Sequence, residues 1–247
     1  MGGHLVLWDV DHTLIDAGGV SPQLYGVVFA GLFGRELPAV APMAGRTDRA
    51  IIADTLARAG IADPARHVPA FIRGLGAQGP EFGERVRERG RVLPGALAAI
   101  AALADGQAGA QAGPPGAHAR GLVVQSVLTG NIRALADAKL SALGLAPLLD
   151  MDVGAYGDSH EVRAELVHLA RRAASQAYGC DFGGSATVLI GDTPLDVQAA
   201  LATGARAVAV ATGGFTAGEL AAAGADAVLP DLSGTADVLA AVFGGPG

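Results

Sequence analysis

Leu5-Val6-Leu7-Trp8-Asp9-Val10-Asp11-His12-Thr13-Leu14 is the stretch from which the rest of the chain is read. It is an apolar run of strand type that delivers two carboxylates, two residues apart, into a turn bearing Thr13. Alternate residues of a strand share a face, so this spacing predicts that Asp9 and Asp11 point the same way as the strand ends. Two like charges that close are costly to bury unless a cation or a shared proton offsets their repulsion. A strand-end cap with one solvated aspartate is the simpler alternative. Chemistry is favoured because later stretches supply complementary groups in a workable order.

Working outward, the chain from Leu122 alternates strands and helices. Strands are expected at Leu122–Leu128, Met151–Ala155, Thr187–Ile190, Ala207–Ala211 and Ala227–Leu229. Helices are expected at Ile132–Leu143, Glu161–Tyr178, Leu195–Thr203, Ala217–Ala223 and Thr235–Val242. Apolar strands alternating with helices argue for an α/β fold with a parallel, Rossmann-like sheet covered on both faces, and ligands in such sheets sit beyond the carboxyl ends of the strands. Between the first two core strands lies a segment with no strand pattern. After a hinge at Asp16-Ala17-Gly18-Gly19 it carries helical stretches at Pro22–Gly34, Thr47–Gly60, Pro64–Leu75 and Glu81–Arg89, each opened or closed by Gly, Pro or a capping residue. Pro94-Gly95 then opens a helix over Ala96–Ala104, and residues 107–121, rich in Gly, Ala, Pro and Gln, read as a flexible surface loop.

Val188-Leu189-Ile190-Gly191-Asp192-Thr193-Pro194-Leu195-Asp196 repeats the strand-to-acid pattern: a strand ends at Gly191-Asp192, Pro194 suits a first helical turn, and Asp196 follows four residues after Asp192. Val123 to Leu128 runs likewise into Thr129-Gly130-Asn131, where Thr129 or Asn131 could equally be a helix cap.

These residues resemble the motifs of the haloacid dehalogenase superfamily: D-x-D-x-T-[LV] at Asp9–Leu14, a strand-end threonine at Thr129, and G-D-x-x-x-D at Gly191–Asp196. The resemblance runs from Leu5 to about Leu239, in a phosphoglycolate-phosphatase-like branch. It implies a core of residues 1–16 and 93–247 and an inserted all-helical type-one cap over residues 17–92. It further implies that Asp9 is a nucleophile attacking phosphorus, while Asp11 protonates the leaving oxygen and then activates water against the aspartyl-phosphate. Thr129, with Gly130 and Asn131 and the amides opening the next helix, would hold phosphoryl oxygens. Asp9, Asp192 and the Asp11 carbonyl would hold Mg2+, with Asp196 and Thr193 behind them ordering a metal water or the loop.

Two departures matter. His12 stands where the family commonly has glycine, which tolerates turn geometries that histidine resists. The basic third motif, usually lysine, is matched by Arg163 in Tyr156-Gly157-Asp158-Ser159-His160-Glu161-Val162-Arg163, an arginine that can bind phosphate oxygens bidentately. The chain's single lysine, Lys139, lies about two turns into a helix and is expected to be too far from the strand ends to serve. Asp158 and His160 read as loop or helix caps. In Ala44-Gly45-Arg46-Thr47-Asp48, Arg46 would contact a substrate carboxylate or phosphate, and Thr47 or Asp48 would cap the next helix. Arg85, Arg87, Arg89 and Arg91 alternate with acids and read as a solvated face.

Composition bounds the partners. A net charge of -7 argues against a nucleic-acid groove or an anionic membrane surface, and no run approaches the roughly 20 apolar residues of a spanning helix. The lone Cys180 suits a reducing cytoplasm. With 51% apolar residues and 4% aromatics, the core must be built mainly of Ala, Val and Leu. The expected protein is a cytoplasmic Mg2+-dependent phosphatase, monomeric or homodimeric, acting on a small phosphorylated metabolite. A dehalogenase would not need Asp11, and a phosphonate hydrolase would need a cap lysine. A phosphomutase of the same superfamily, or a non-catalytic module binding a phosphometabolite or partner, is the alternative.

Overall fold

A computed structural model of the chain describes residues 3–112 and 121–244. The core is a parallel six-stranded sheet of β1 (His4–Trp8), β4 (Val123–Thr129), β5 (Ala155–Tyr156), β6 (Thr187–Gly191), β7 (Arg206–Val210) and β8 (Ala227–Leu229), in the spatial order β5-β4-β1-β6-β7-β8. Chain order reverses at β1, which pairs with β4 on one side and β6 on the other. In doubly wound sheets the crevice beyond the strand ends opens at that reversal. Asp9, Thr129 and Asp192 all lie at those ends.

The strands are apolar on both faces because both are covered. Val6, Trp8, Val127, Ile190 and Val208 pack against α5 (Ala96–Ala112) and α10 (Thr235–Phe243). Leu5, Leu7, Val124, Leu189 and Ala207 pack against α7 (Arg163–Tyr178) and α8 (Pro194–Ala202). The period-2 alternation of β1 thus sends one residue to each layer in turn. Two further helices complete the core: α6 (Arg133–Ala142) follows β4, and α9 (Ala217–Ala222) lies between β7 and β8.

The expected strand at Met151–Ala155 is a correction: pairing covers only Ala155–Tyr156, against Leu128 and Thr129. Residues 151–154 form a turn in which Tyr156 Oη donates to Met151 O at 2.6 Å, so the segment satisfies itself instead of extending the sheet. The expected loop over 107–121 is also corrected at its start, because α5 continues to Ala112; alanine and glutamine sustain a helix there despite the glycines. The remainder, 113–120, lies outside the described residues.

The chain leaves the core through β2 (Ile15–Asp16) and returns through β3 (Arg91–Val92), which pair antiparallel as a two-residue ribbon. The regular elements between are all helices: α1 (Ser21–Phe33), α2 (Asp48–Arg58), α3 (Pro64–Ala77) and α4 (Gly79–Arg89), with an irregular segment over 34–47. Tyr25, Phe29, Ile52, Phe71, Leu75 and Phe82 form a separate core for this insert, and Ile132 and Leu135 at the start of α6 complete it. Arg85 and Arg87 pair with Glu81 and Glu84 on its exposed face, as their spacing predicts.

Candidate active site

Asp9 stands one residue beyond β1, yet its amide still donates to Ile190 O at 2.8 Å, so the chain enters the turn in register with β6. His12 takes φ +60°, the left-handed conformation that glycine adopts freely, and the turn keeps its shape at a cost of about 1 kcal/mol. Its carbonyl accepts from the Thr212 hydroxyl of the loop after β7.

The two aspartates of this turn have different partners. Asp9 is buried and accepts from Arg163 Nη2 at 2.8 Å. Burial pushes it up to about 7; Arg163 opposes that rise, while the neighbouring Asp196 and Asp11 carboxylates add to it. Asp11 meets Lys139 Nζ at 2.6 and 2.8 Å and accepts from Asn131 Nδ2 at 2.7 Å. Burial alone would raise it, but the Lys139 ammonium and these hydrogen bonds hold it below the usual carboxylate range.

Lys139 therefore corrects the expectation drawn from its helix position. Helical side chains lean toward the N-terminus of their helix, and lysine's four-carbon stem adds reach in that direction. Its side chain is 1% exposed, and the ammonium also donates to Asn131 Oδ1 at 2.7 Å. Asn131 Nδ2 in turn donates to Thr129 Oγ1 at 2.8 Å, so Thr129, Asn131, Lys139 and Asp11 form one connected network.

Arg163, the first residue of α7, reaches under the strand ends. Besides Asp9 it meets Asp196 Oδ1 at 2.5 Å, and its side chain is 7% exposed. Burial would lower its pKa, but the Asp196 and Asp9 carboxylates more than offset that and leave it firmly cationic. Asp196 also completes a capping box with Thr193 at the start of α8, its Oδ2 accepting from both the amide and the hydroxyl of Thr193.

Asp192 is 3% exposed, and burial first, then Asp9 and Asp196, push it up to about 8. Carboxylate oxygens of Asp9, Asp192 and Asp196 lie within 4.8 Å of one another. Among the described residues, four carboxylates (Asp9, Asp11, Asp192, Asp196) thus converge on two cations, Arg163 and Lys139. That imbalance, in an all-oxygen donor set, fits a hard divalent cation.

Asp9, Asp11, Arg46, Thr129, Gly130, Asn131, Arg163, Asp192 and Thr193 all line one cavity of about 410 Å³, with Asp196 behind them. Arg46 is on the wall, but its guanidinium is turned into its own segment, donating to Asp54 Oδ2 at 3.0 Å and Pro42 O at 2.9 Å. Gly130 carries a close approach: a Cβ there would stand 2.0 Å from Arg46 O. Its carbonyl accepts from the Asp48 amide at 2.6 Å.

Thr47 is the N-cap of α2, as its position predicts, accepting from Ala50 N at 3.3 Å. Asp48 does something its sequence position does not suggest. Its carboxylate crosses to the core, accepting from the Ile132 amide at 2.8 Å and from Tyr25 Oη at 2.6 Å. One of the amides expected to receive an anion is therefore already bonded to the insert. His160 Nδ1 accepts from Val162 N at 3.0 Å ahead of α7, in keeping with a capping role.

Residues 165–235 match a family model described as HAD-hydrolase-like. No curated protein matches the sequence. Among solved structures, the chain is similar to a predicted phosphatase from Clostridium acetobutylicum, with TM-score 0.64 and 18% identity over 97% of this chain and 99% of that one. It is similar to a haloacid dehalogenase-like hydrolase from Streptococcus pneumoniae, with TM-score 0.58 and 14% identity over 96% and 97% of the two chains. A HAD family hydrolase from Deinococcus radiodurans, crystallised with bound phosphate and sodium, aligns with TM-score 0.54 and 20% identity over 98% and 96%.

Proposed function

We propose that this chain, whose fold is similar to that of haloacid dehalogenase-like hydrolases, is a Mg2+-dependent phosphatase hydrolysing a small phosphorylated metabolite through a phosphoryl group carried on Asp9. One observation carries the reading: Asp9 is held by Arg163 at 2.8 Å while its carboxylate, with those of Asp192 and Asp196, forms an acidic cluster short of positive charge. A structural role alone gives no reason to bury that excess of carboxylates.

Asp9, Asp192 and the backbone carbonyl of Asp11 would hold the ion. When bound, it would neutralise the cluster and polarise the phosphoryl oxygens. Arg163 orients Asp9 and presents positive charge where a transferring phosphoryl group needs it. Asp9 attacks phosphorus and the ester bond breaks. Asp11, ionised in the free site, would take up a proton as the ester binds, pass it to the departing oxygen, and then remove a proton from the water that cleaves the aspartyl-phosphate. The substrate dianion brings added negative charge beside Asp11, which raises its proton affinity in the direction the first step needs. Thr129 and Asn131 hold that side of the site through their network with Lys139.

The test is hydrolysis of 4-nitrophenyl phosphate by the whole chain with Mg2+ and with chelator, beside Asp9→Asn. Metal-dependent turnover lost in Asp9→Asn is expected. Well-folded protein that neither turns over the ester nor forms a phosphoenzyme in a single-turnover assay would sink the proposal.

A further inference from the structure

The cavity has a wall that the proposed chemistry does not use. Ala17, Pro22, Met43, Ala44, Ile51 and Phe215 line it. All but Phe215 come from the insert or the connection into it. A cavity of about 410 Å³ has room for a leaving group beyond the phosphoryl group itself.

The charges of the site say what that leaving group is. Each Lys and Arg side chain on the described wall already has a carboxylate partner. Lys139 is on Asp11, Arg163 is on Asp9 and Asp196, and Arg46 is on Asp54. Arg46 is further tied to Pro42 O at 2.9 Å and Ala50 O at 3.3 Å, and Asp54 is shared with Arg58 at 2.8 Å. His12 stands exposed on the same wall. Asp16, paired with Arg91 at 2.6 Å, and Asp48, bonded to Tyr25 and the Ile132 amide, also line it and bring no free cation. A second anionic group on the substrate would meet no uncommitted guanidinium or ammonium, and an unpaired charge is costly to desolvate.

We infer that the site takes phosphomonoesters whose leaving group is uncharged and largely apolar, and discriminates against esters carrying a carboxylate. This rests on the phosphatase reading and narrows it.

The experiment compares kcat/KM for benzyl phosphate with 4-carboxybenzyl phosphate, and for propyl phosphate with phosphoglycolate, using the whole chain with Mg2+ at pH 8. Each neutral ester is expected to exceed its carboxylated partner by at least about ten-fold. Asp54→Asn frees Arg46 from its ion pair and is expected to raise relative activity on the carboxylated esters. Carboxylated esters turned over as well as, or better than, their neutral partners would overturn the inference and leave the phosphatase reading intact. No turnover of any ester, with no phosphoenzyme on Asp9, would overturn both.

Discussion

Asp9 and Asp11 are separated by a single valine, and two long basic side chains from different helices give their carboxylates different partners. Arg163 binds Asp9, and Lys139 binds Asp11. Lys139→Met should leave Asp11 without its cation. In steady-state kinetics we expect kcat to fall by about 100-fold with KM changed little, because the group acts through Asp11 and not on the substrate. Lys139→Arg should recover part of the loss if charge is what matters, and unchanged kcat in Lys139→Met would remove Lys139 from the machinery. Arg163→Lys tests the other pair. Arg163 Nη2 alone meets both Asp9 and Asp196, while Nη1 donates to Gly45 O at 3.3 Å. A lysine keeps the charge but loses the second nitrogen and the planar group that places Nη2, so a fall of about 10-fold in kcat with the melting temperature nearly kept is expected. These residues also mark where sequence reading succeeds. Asp9, Thr129 and Asp192 are legible because a strand ending in a polar turn fixes its own position. Arg163 is legible from its place ahead of the β6 strand. Lys139 is not, because its contact joins residues 128 apart in sequence and depends on how α6 leans against the β1 turn.

The insert is hydrogen-bonded to the core where the segment around Gly45–Arg49 meets the start of α6. The Asp48 and Arg49 amides donate to Gly130 O and Gly157 O at 2.6 and 3.1 Å, and the Thr47 hydroxyl donates to Glu161 O at 3.0 Å. The Asp48 carboxylate takes the Ile132 amide, at a helix end that has no cap from its own side chain. Removing that carboxylate strands two buried donors, the Ile132 amide and the Tyr25 hydroxyl. Asp48→Ala should therefore cost about 2–4 kcal/mol in urea denaturation, and Tyr25→Phe, which removes a partner and strands no donor, only about 1 kcal/mol. Equal losses in the two variants would mean that the Ile132 bond contributes nothing. The helices of the insert were readable from their Pro, Gly and capping residues, since those signals are local. How they dock was not, because Asp48 reads as one more acid in a first helical turn until α6 is placed against it. The strand expected over Met151–Ala155 pairs only at Ala155–Tyr156 for a related reason: an apolar run beside a sheet looks like a strand whether or not it finds a partner.

At the scale of the whole molecule, the sheet reverses its strand order at β1, so the ends of β1 and β6 bring their acids to one crevice, beside Thr129 at the end of β4, that no local interaction would assemble. That arrangement makes stability depend on pH in an unusual direction. Asp9 and Asp192 are raised to about 7 and about 8, above the ordinary carboxylate value of 3.8. Between those limits the metal-free folded chain holds protons that the unfolded chain has released, so its stability falls as pH rises, by up to about 1.4 kcal/mol per pH unit for each such proton. A bound divalent cation needs the same groups ionised, so its stabilising effect runs the opposite way and grows with pH. The measurement is thermal unfolding at pH 6 and pH 8.5, with chelator and with Mg2+, for the native chain and Asp192→Asn. In chelator the variant should match the native chain at pH 6, where Asp192 already carries a proton, and exceed it at pH 8.5, where the native chain must bury the charge. With Mg2+ the native chain should gain more at pH 8.5 than at pH 6, and the variant should gain little at either. A Mg2+ shift of equal size at both pH values, kept in Asp192→Asn, would place the ion somewhere other than this crevice.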